Sequence, residues 1–118
     1  MQLTALTLLS TAVTATALAQ VSIDFYFTND TCSTTPTVTY SIYENSCFGI
    51  EGYPWESIAP YLSSGTCSDA TKSPVLYTYT SQEDDCISGL YATYDVTDEH
   101  TCYAVDAEYL QRLLVKCE

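Results

Sequence analysis

The fold is decided first by the stretch Ile23–Cys32, which reads IDFYFTNDTC. Isoleucine and phenylalanine occupy every second position over its first half, and more polar residues stand between them. A period of two is that of a β-strand that buries one face. Asn29 and Asp30 follow, and both residue types are favoured in tight turns. The stretch therefore predicts a half-buried strand that turns just before its cysteine.

The same period of two recurs along the rest of the chain. The further alternating runs are Val38–Ile42, Val75–Tyr79 and Leu90–Val96. They are filled with β-branched and aromatic residues, which suit a pleated and half-buried surface. Turn-forming residues such as Ser63-Ser64-Gly65 separate them. The chain is therefore predicted to be mainly β.

Two segments are predicted to form short helices, one near Trp55 and one near Tyr109. Pro54 has the residue type favoured at the first position of a helix. Asp106 is placed to cap a second helix, in which leucines recur at helical spacing up to Leu114. For the segment Leu110–Cys117 a final strand is the alternative.

The chain from residue 20 onwards is predicted to contain two copies of one unit, at about 20–67 and 73–118. Thr39-Tyr40 corresponds to Thr93-Tyr94, and Cys47-Phe48 corresponds to Cys102-Tyr103. Each unit carries three cysteines and closes on a cysteine after a short apolar segment. Agreement in order and spacing is the signature of an internal repeat.

The six cysteines are expected to form three disulfides. They are Cys32, Cys47, Cys67, Cys86, Cys102 and Cys117. An even number in a small domain is typical of an exported protein, and the absence of close cysteine pairs argues against zinc. Three cysteines per unit require at least one bridge between the units. Symmetry favours Cys32–Cys47, Cys86–Cys102 and Cys67–Cys117 among fifteen pairings.

Residues 1–19 are predicted to be a signal peptide. The segment has no charged side chain and ends in Ala17-Leu18-Ala19, the small-x-small pattern that signal peptidase recognises. Cleavage is expected after Ala19, with Ala17 as the alternative position. Residues 20–118 then form a single secreted, extracellular domain.

The charge of the chain excludes two classes of partner. Asp and Glu number 15 against three Lys and Arg, which gives a formal net charge of −12. Such a surface repels the phosphates of nucleic acids and the anionic lipids of membranes.

Catalytic residues are not expected. His100 is the sole histidine and Arg112 the sole arginine. The histidine lies in an acidic, hydrophilic stretch that is typical of an exposed turn. Acid–base catalysis of phosphoryl transfer would need a base, an acid and cationic stabilisation together. We therefore expect a protein that is not an enzyme and that uses no cofactor.

Two polar features remain as possible sites. The acidic groups Glu83-Asp84-Asp85 and Asp95/Asp98/Glu99 contain calcium-type ligands, although a solvated acidic surface is the preferred interpretation and no metal is expected. Asn29-Asp30-Thr31 is a sequon, and it predicts N-glycosylation at Asn29 in an exported chain.

Tyrosines on the faces opposite the apolar ones form a further candidate site. Tyr26, Tyr43 and Tyr91 have this parity, and Tyr53 and Trp55 lie near them in the pattern. Packing is the preferred role for strand tyrosines. A patch that binds a sugar polymer or a protein partner is the alternative.

Several of these motifs resemble the βγ-crystallin-like Greek-key unit of small secreted fungal proteins. The residues that carry the resemblance are Phe25–Cys32, Cys47-Phe48, Ser64–Cys67, Tyr79–Gly89 and Cys102-Tyr103. The whole chain is similar to the cysteine-rich effectors that leaf-infecting fungi secrete into the apoplast. The resemblance implies two Greek-key units packed as a sandwich.

The same resemblance implies a non-enzymatic effector, a virulence factor that acts outside host cells. Its partner would be a host protein or a cell-wall component, and host immune receptors would be able to recognise it. A secreted hydrolase inhibitor and a carbohydrate-binding module are the alternatives.

Overall fold

A computed structural model describes residues 17–27, 31–83 and 85–118, with side chains at all of these positions except 107 and 108. The strands are β1 Gln20–Tyr26, β2 Val38–Tyr43, β3 Cys47–Gly49, β4 Pro54–Ser64, β5 Pro74–Tyr79, β6 Leu90–Asp95, β7 Tyr103–Tyr109 and β8 Arg112–Cys117. The prediction of a mainly β protein is confirmed. None of the described segments is a helix that would be long and apolar enough to cross a membrane.

Both predicted helices are wrong, because each segment is a strand. Pro54 and Trp55 open β4, the longest strand, which pairs with β1 and β7. In β8, Leu113 and Val115 enter the main core, whereas Leu114 packs in a second cluster with Tyr79 and Cys86. Neighbouring leucines therefore point to opposite faces, as the pleat of a strand requires.

The strands form two four-stranded antiparallel sheets. Their orders are β2-β1-β4-β7 and β3-β8-β5-β6. The two sheets have corresponding strands: β2, β1 and β4 of the first sheet match β6, β5 and β8 of the second, and β7 in the first matches β3 in the second. Each half contributes three strands to its own sheet and lends its third strand, β3 or β7, to the opposite sheet. The two halves are therefore interlocked.

The main core lies where the apolar faces of both sheets meet. Its buried members are Val21, Ile23, Phe25, Ile42, Ile50, Trp55, Ile58, Leu76, Val96, Val105, Leu110, Leu113 and Val115. Full burial of an aliphatic or aromatic side chain of this kind stabilises a fold by about 1.5–3 kcal/mol. All eight strands or their flanking residues contribute to this core, so the two sheets share it.

All six cysteines are paired, and the pairing corrects part of the sequence-based prediction. The bridges are Cys32–Cys102, Cys47–Cys86 and Cys67–Cys117. Cys67–Cys117 was expected from symmetry and is confirmed, whereas Cys32–Cys47 and Cys86–Cys102 are wrong.

The correction follows from the exchange of third strands. Cys47 begins β3, which pairs with β8 in the sheet of the second half, and Cys102 precedes β7, which pairs with β4 in the sheet of the first half. The middle cysteine of each half is thereby carried to the other half. The bridges span 70, 39 and 50 residues. In the chain-entropy account each lowers the entropy of the unfolded chain and thereby stabilises the fold by about 4 kcal/mol.

The residues just before β1 are part of the fold. Ala19 is fully buried, and it donates its N–H to Glu44 Oε1 and accepts the Glu44 N–H, both at 3.1 Å. Glu44 is itself buried and accepts two further hydrogen bonds, from the N–H and the hydroxyl of Ser68, both at 2.9 Å. Burial raises the pKa of Glu44, but the bonds from Ala19 and Ser68 outweigh burial and leave the pKa below its ordinary value.

Candidate binding site

The candidate site is an open pocket of about 240 Å³ at one end of the first sheet. It is lined by Phe27, Thr37, Tyr53 and Trp55. Phe27 follows β1, Thr37 precedes β2, and the other two lie at the start of β4. The exposed lining is almost entirely apolar. We call this site the aromatic pocket.

The three rings of the aromatic pocket are nearly perpendicular to one another. Phe27 and Tyr53 have centroids 5.9 Å apart at 75°. Phe27 and Trp55 are 6.1 Å apart at 79°, and Tyr53 and Trp55 are 5.6 Å apart at 87°. The rings therefore do not form the coplanar platform on which a flat sugar ring stacks.

The back of the pocket is buried and its front is exposed. Trp55 is only 2% exposed, and its ring packs 5.0 Å from that of the fully buried Phe25. Phe27 and Tyr53 are 41% and 46% exposed. The pairing of β4 with β7 shifts register between Trp55 and Ser57, which interrupts the ladder beside the tryptophan. The extra residues lie on β7, where Asp106 has a positive φ of 58°, and irregularities of this kind are common next to functional sites.

Polar groups at the pocket are few. The Tyr53 hydroxyl donates to Glu51 Oε2 at 2.9 Å, and this hydrogen bond raises the pKa of the phenol. Thr37 Oγ1 accepts the Phe27 N–H at 3.2 Å. The buried Nε1 of Trp55 has no hydrogen-bond acceptor within the described ranges. The carboxylate of Glu51 is therefore the charged group attached to this site.

The structure separates the tyrosines that the parity argument had grouped. Tyr26 is buried, and Tyr91 packs against the main core and donates its hydroxyl to the Val105 carbonyl at 2.9 Å. A register shift between Thr78 and Tyr79 in the pairing with β6 accounts for the inward position of Tyr91. Tyr43 is 51% exposed but does not line the pocket.

Sequence reasoning missed Phe27 and Thr37 as members of the site. Phe27 was assigned to the apolar face of the strand, but β1 ends at Tyr26. Phe27 therefore lies outside the strand, where it is 41% exposed and packs against Tyr53 and Trp55. The start of the turn residues directly after Phe27 was the signal for this strand end.

His100 is exposed, as expected, and it is not joined to a nucleophile. Its ring stacks on Tyr61 at 3.7 Å and 13°, and its Nδ1 lies 3.8 Å from Asp24 Oδ2. Asp24 also accepts the Thr39 hydroxyl at 2.7 Å. Among the residues that the structure describes, no serine or cysteine side chain hydrogen-bonds to His100. The prediction that the protein is not an enzyme stays a prediction.

The structure describes the predicted acidic and glycosylation sites only in part. Within the described ranges, no three His, Cys, Asp or Glu side chains lie close enough together to hold a metal ion. Asp84 and the sequon residue Asn29 lie outside the described residues. Glycosylation at Asn29 therefore stays a prediction.

Comparison with protein-family models, curated proteins and solved structures finds no match for this chain. The class of protein is therefore defined by the structure alone. It is a small β protein of two four-stranded antiparallel sheets with three disulfides. Such a density of disulfides fits an extracellular protein, because the oxidising space outside the cytosol preserves them.

Proposed function

We propose that this protein is a non-enzymatic secreted effector that acts in the host extracellular space, the apoplast in a plant. It binds a host component through the aromatic pocket, and host immune receptors are able to recognise it. The observation that carries the proposal is the aromatic pocket itself, an exposed apolar recess on a framework with three disulfides. Concave apolar sites with exposed aromatic rings are typical of binding surfaces.

The extracellular setting is supported by three features of the chain. The sequence begins with a predicted signal peptide, all six cysteines are paired, and the net charge is −12. Paired cysteines suit an oxidising compartment. Strong net charge keeps a small protein dispersed and free of anionic polymers.

The fungal, crystallin-like ancestry belongs to the same proposal. Its support is the arrangement in which each half of the chain keeps three strands in its own sheet and lends the third to the other. Two interlocked Greek-key units of crystallin type would have this exchange. Positive backbone φ at the corresponding positions Cys32 (54°) and Cys86 (58°) agrees with an internal repeat.

Among the possible partners, the pocket favours a projecting chemical group over the flat face of a sugar. Perpendicular rings offer no shared flat face on which a sugar could stack, and the apolar lining offers few partners for sugar hydroxyls. A protein or a small molecule with a compact projecting group is therefore preferred over a polysaccharide.

The test measures complex formation by the oxidised, fluorescently labelled protein in extracellular fluid and wall fractions from plant leaves. We compare the wild type with Tyr53→Ala, which opens the aromatic pocket, and with Tyr43→Ala as a control of similar exposure outside it. The wild type and the control are expected to move into a larger complex or onto the wall fraction, and Tyr53→Ala is expected to lose at least 90% of that signal. A free wild-type protein in every fraction, or full binding by Tyr53→Ala, would overturn the proposal.

A further inference from the structure

We infer that the aromatic pocket is a cation–π site for an alkylated ammonium group, such as a trimethylammonium. The inference rests on the proposed binding role of the same pocket and names the chemistry of the group that occupies it. It follows from the geometry of the three rings, the charge beside them and the polarity of the lining.

The geometry of the rings provides the space that such a cation needs. The three centroids are 5.6–6.1 Å apart, so a cation seated between the rings lies within the roughly 6 Å range of a cation–π contact from all of them. Phe27 and Tyr53 are the exposed rings that act on the positive charge, and Trp55 closes the back of the pocket.

The charge beside the pocket has the matching sign. The Tyr53 hydroxyl donates to the carboxylate of Glu51, which brings a negative charge to the rim and makes the phenol ring richer in electrons. Described lining residues include no lysine or arginine. A net charge of −12 adds a long-range field that attracts cations.

The polarity of the lining selects among cations. A primary ammonium is strongly hydrated, and losing that water is costly unless several acceptors replace it. Inside the aromatic pocket the available acceptor is the oxygen of Thr37, which already accepts the Phe27 N–H. An alkylated ammonium is weakly hydrated because its methyl groups cover the charge. It therefore enters an apolar aromatic recess at a smaller desolvation penalty, which is why aromatic cages recognise it.

The experiment titrates the oxidised protein with choline and with 3,3-dimethyl-1-butanol, the neutral compound that has carbon in place of the choline nitrogen. Trp55 is the sole tryptophan, so its fluorescence reports on this pocket without interference. Saturable binding of choline at least tenfold stronger than that of the neutral isostere is expected. Equal binding of both compounds, or no saturable binding of choline, would overturn the inference.

Variants separate the contribution of the rings from that of the carboxylate. Tyr53→Leu removes a ring at similar volume and is expected to weaken choline at least tenfold. Tyr53→Phe keeps the ring and is expected to weaken it by less than fivefold, as is Glu51→Gln. Tyr43→Leu is the matched control with unchanged affinity, and unreduced mass and near-ultraviolet circular dichroism verify that each variant is folded. An effect of Tyr43→Leu equal to that of Tyr53→Leu would contradict the site.

The two proposals fail in different ways. If choline does not bind while Tyr53→Ala still abolishes complexes in leaf fluid, the cation inference is wrong and the binding function stands. If choline binds in the expected order while Tyr53→Ala leaves the leaf complexes unchanged, the cation site stands and the proposed function is wrong.

Discussion

The two candidate signal-peptide cleavage positions, after Ala17 and after Ala19, predict different stabilities for the secreted domain. Cleavage after Ala19 would remove a fully buried residue and the two hydrogen bonds that it exchanges with Glu44. Gln20 cannot replace them, because it is held in β1 against Tyr43. We therefore predict cleavage after Ala17, where Ala15-Thr16-Ala17 supplies the small-x-small pattern.

The size of the effect follows from the interactions that are lost. A hydrogen bond to a carboxylate contributes about 1.5–3 kcal/mol and a neutral backbone bond about 1 kcal/mol. Burial of the Ala19 methyl adds about 0.8 kcal/mol. A chain that starts at Gln20 is therefore expected to be about 3–5 kcal/mol less stable than one that starts at Leu18.

The assay is equilibrium urea unfolding of the two oxidised chains, Leu18–Glu118 and Gln20–Glu118, at pH 7. Glu44→Gln is introduced into both, and it should destabilise the longer chain more, because only there does the carboxylate receive the Ala19 N–H. Intact mass of the protein secreted by a fungal host identifies its natural first residue. The reasoning would be refuted if the two chains had stabilities equal within about 0.5 kcal/mol, far below the expected hydrogen-bond loss, and if the natural protein started at Gln20.

Three further predictions concern the framework. Peptide mapping of the unreduced protein should recover the Cys32–Cys102 and Cys47–Cys86 cross-links, and recovery of a Cys32–Cys47 peptide would contradict the strand exchange. Gly65→Ala should lower the free energy of unfolding in urea by at least about 2 kcal/mol in the chain that starts at Leu18, because φ is +72° there and the new Cβ would collide with the Leu18 carbonyl oxygen. In the chain that starts at Gln20 only the backbone strain remains. An equal loss in both chains would argue against the contact. Burial, assisted by the nearby Tyr91, raises the pKa of Tyr94 to about 12. The neutral phenol therefore stabilises the fold below pH 10, and that stability is lost as the pH rises from 10 toward 12. Absorbance at 295 nm should show a late-titrating tyrosine that Tyr94→Phe removes, and an unchanged titration curve would disprove the assignment.

The strands were predictable because alternation is a local property. A period of two over Ile23–Phe27 reflects the pleat, but the expectation that this strand buries only one face was wrong, because Ser22, Asp24 and Tyr26 are buried as well. The same argument failed at the candidate site, where strand β1 ends before Phe27 and a bulge in β7 shifts its pairing with β4 after Trp55. Neither the end of a strand nor a bulge changes the identities of the residues around it, so the meeting of Phe27, Tyr53 and Trp55 was not visible in the pattern.

What the chain determines by itself is its class: β-strands from alternation, three disulfides from an even number of cysteines in a small domain, and an acidic surface from 15 carboxylates against three cationic side chains. The tertiary structure decided that the two segments predicted to be helices are strands, and it decided which cysteines are paired. Pro54–Ser64 and Arg112–Cys117 are strands because sheet neighbours on both sides satisfy their backbones. Cys47 joins Cys86 because β3 crosses to the opposite sheet. Pairing between strands far apart in sequence depends on the shared core, and local residue preferences carry no record of it.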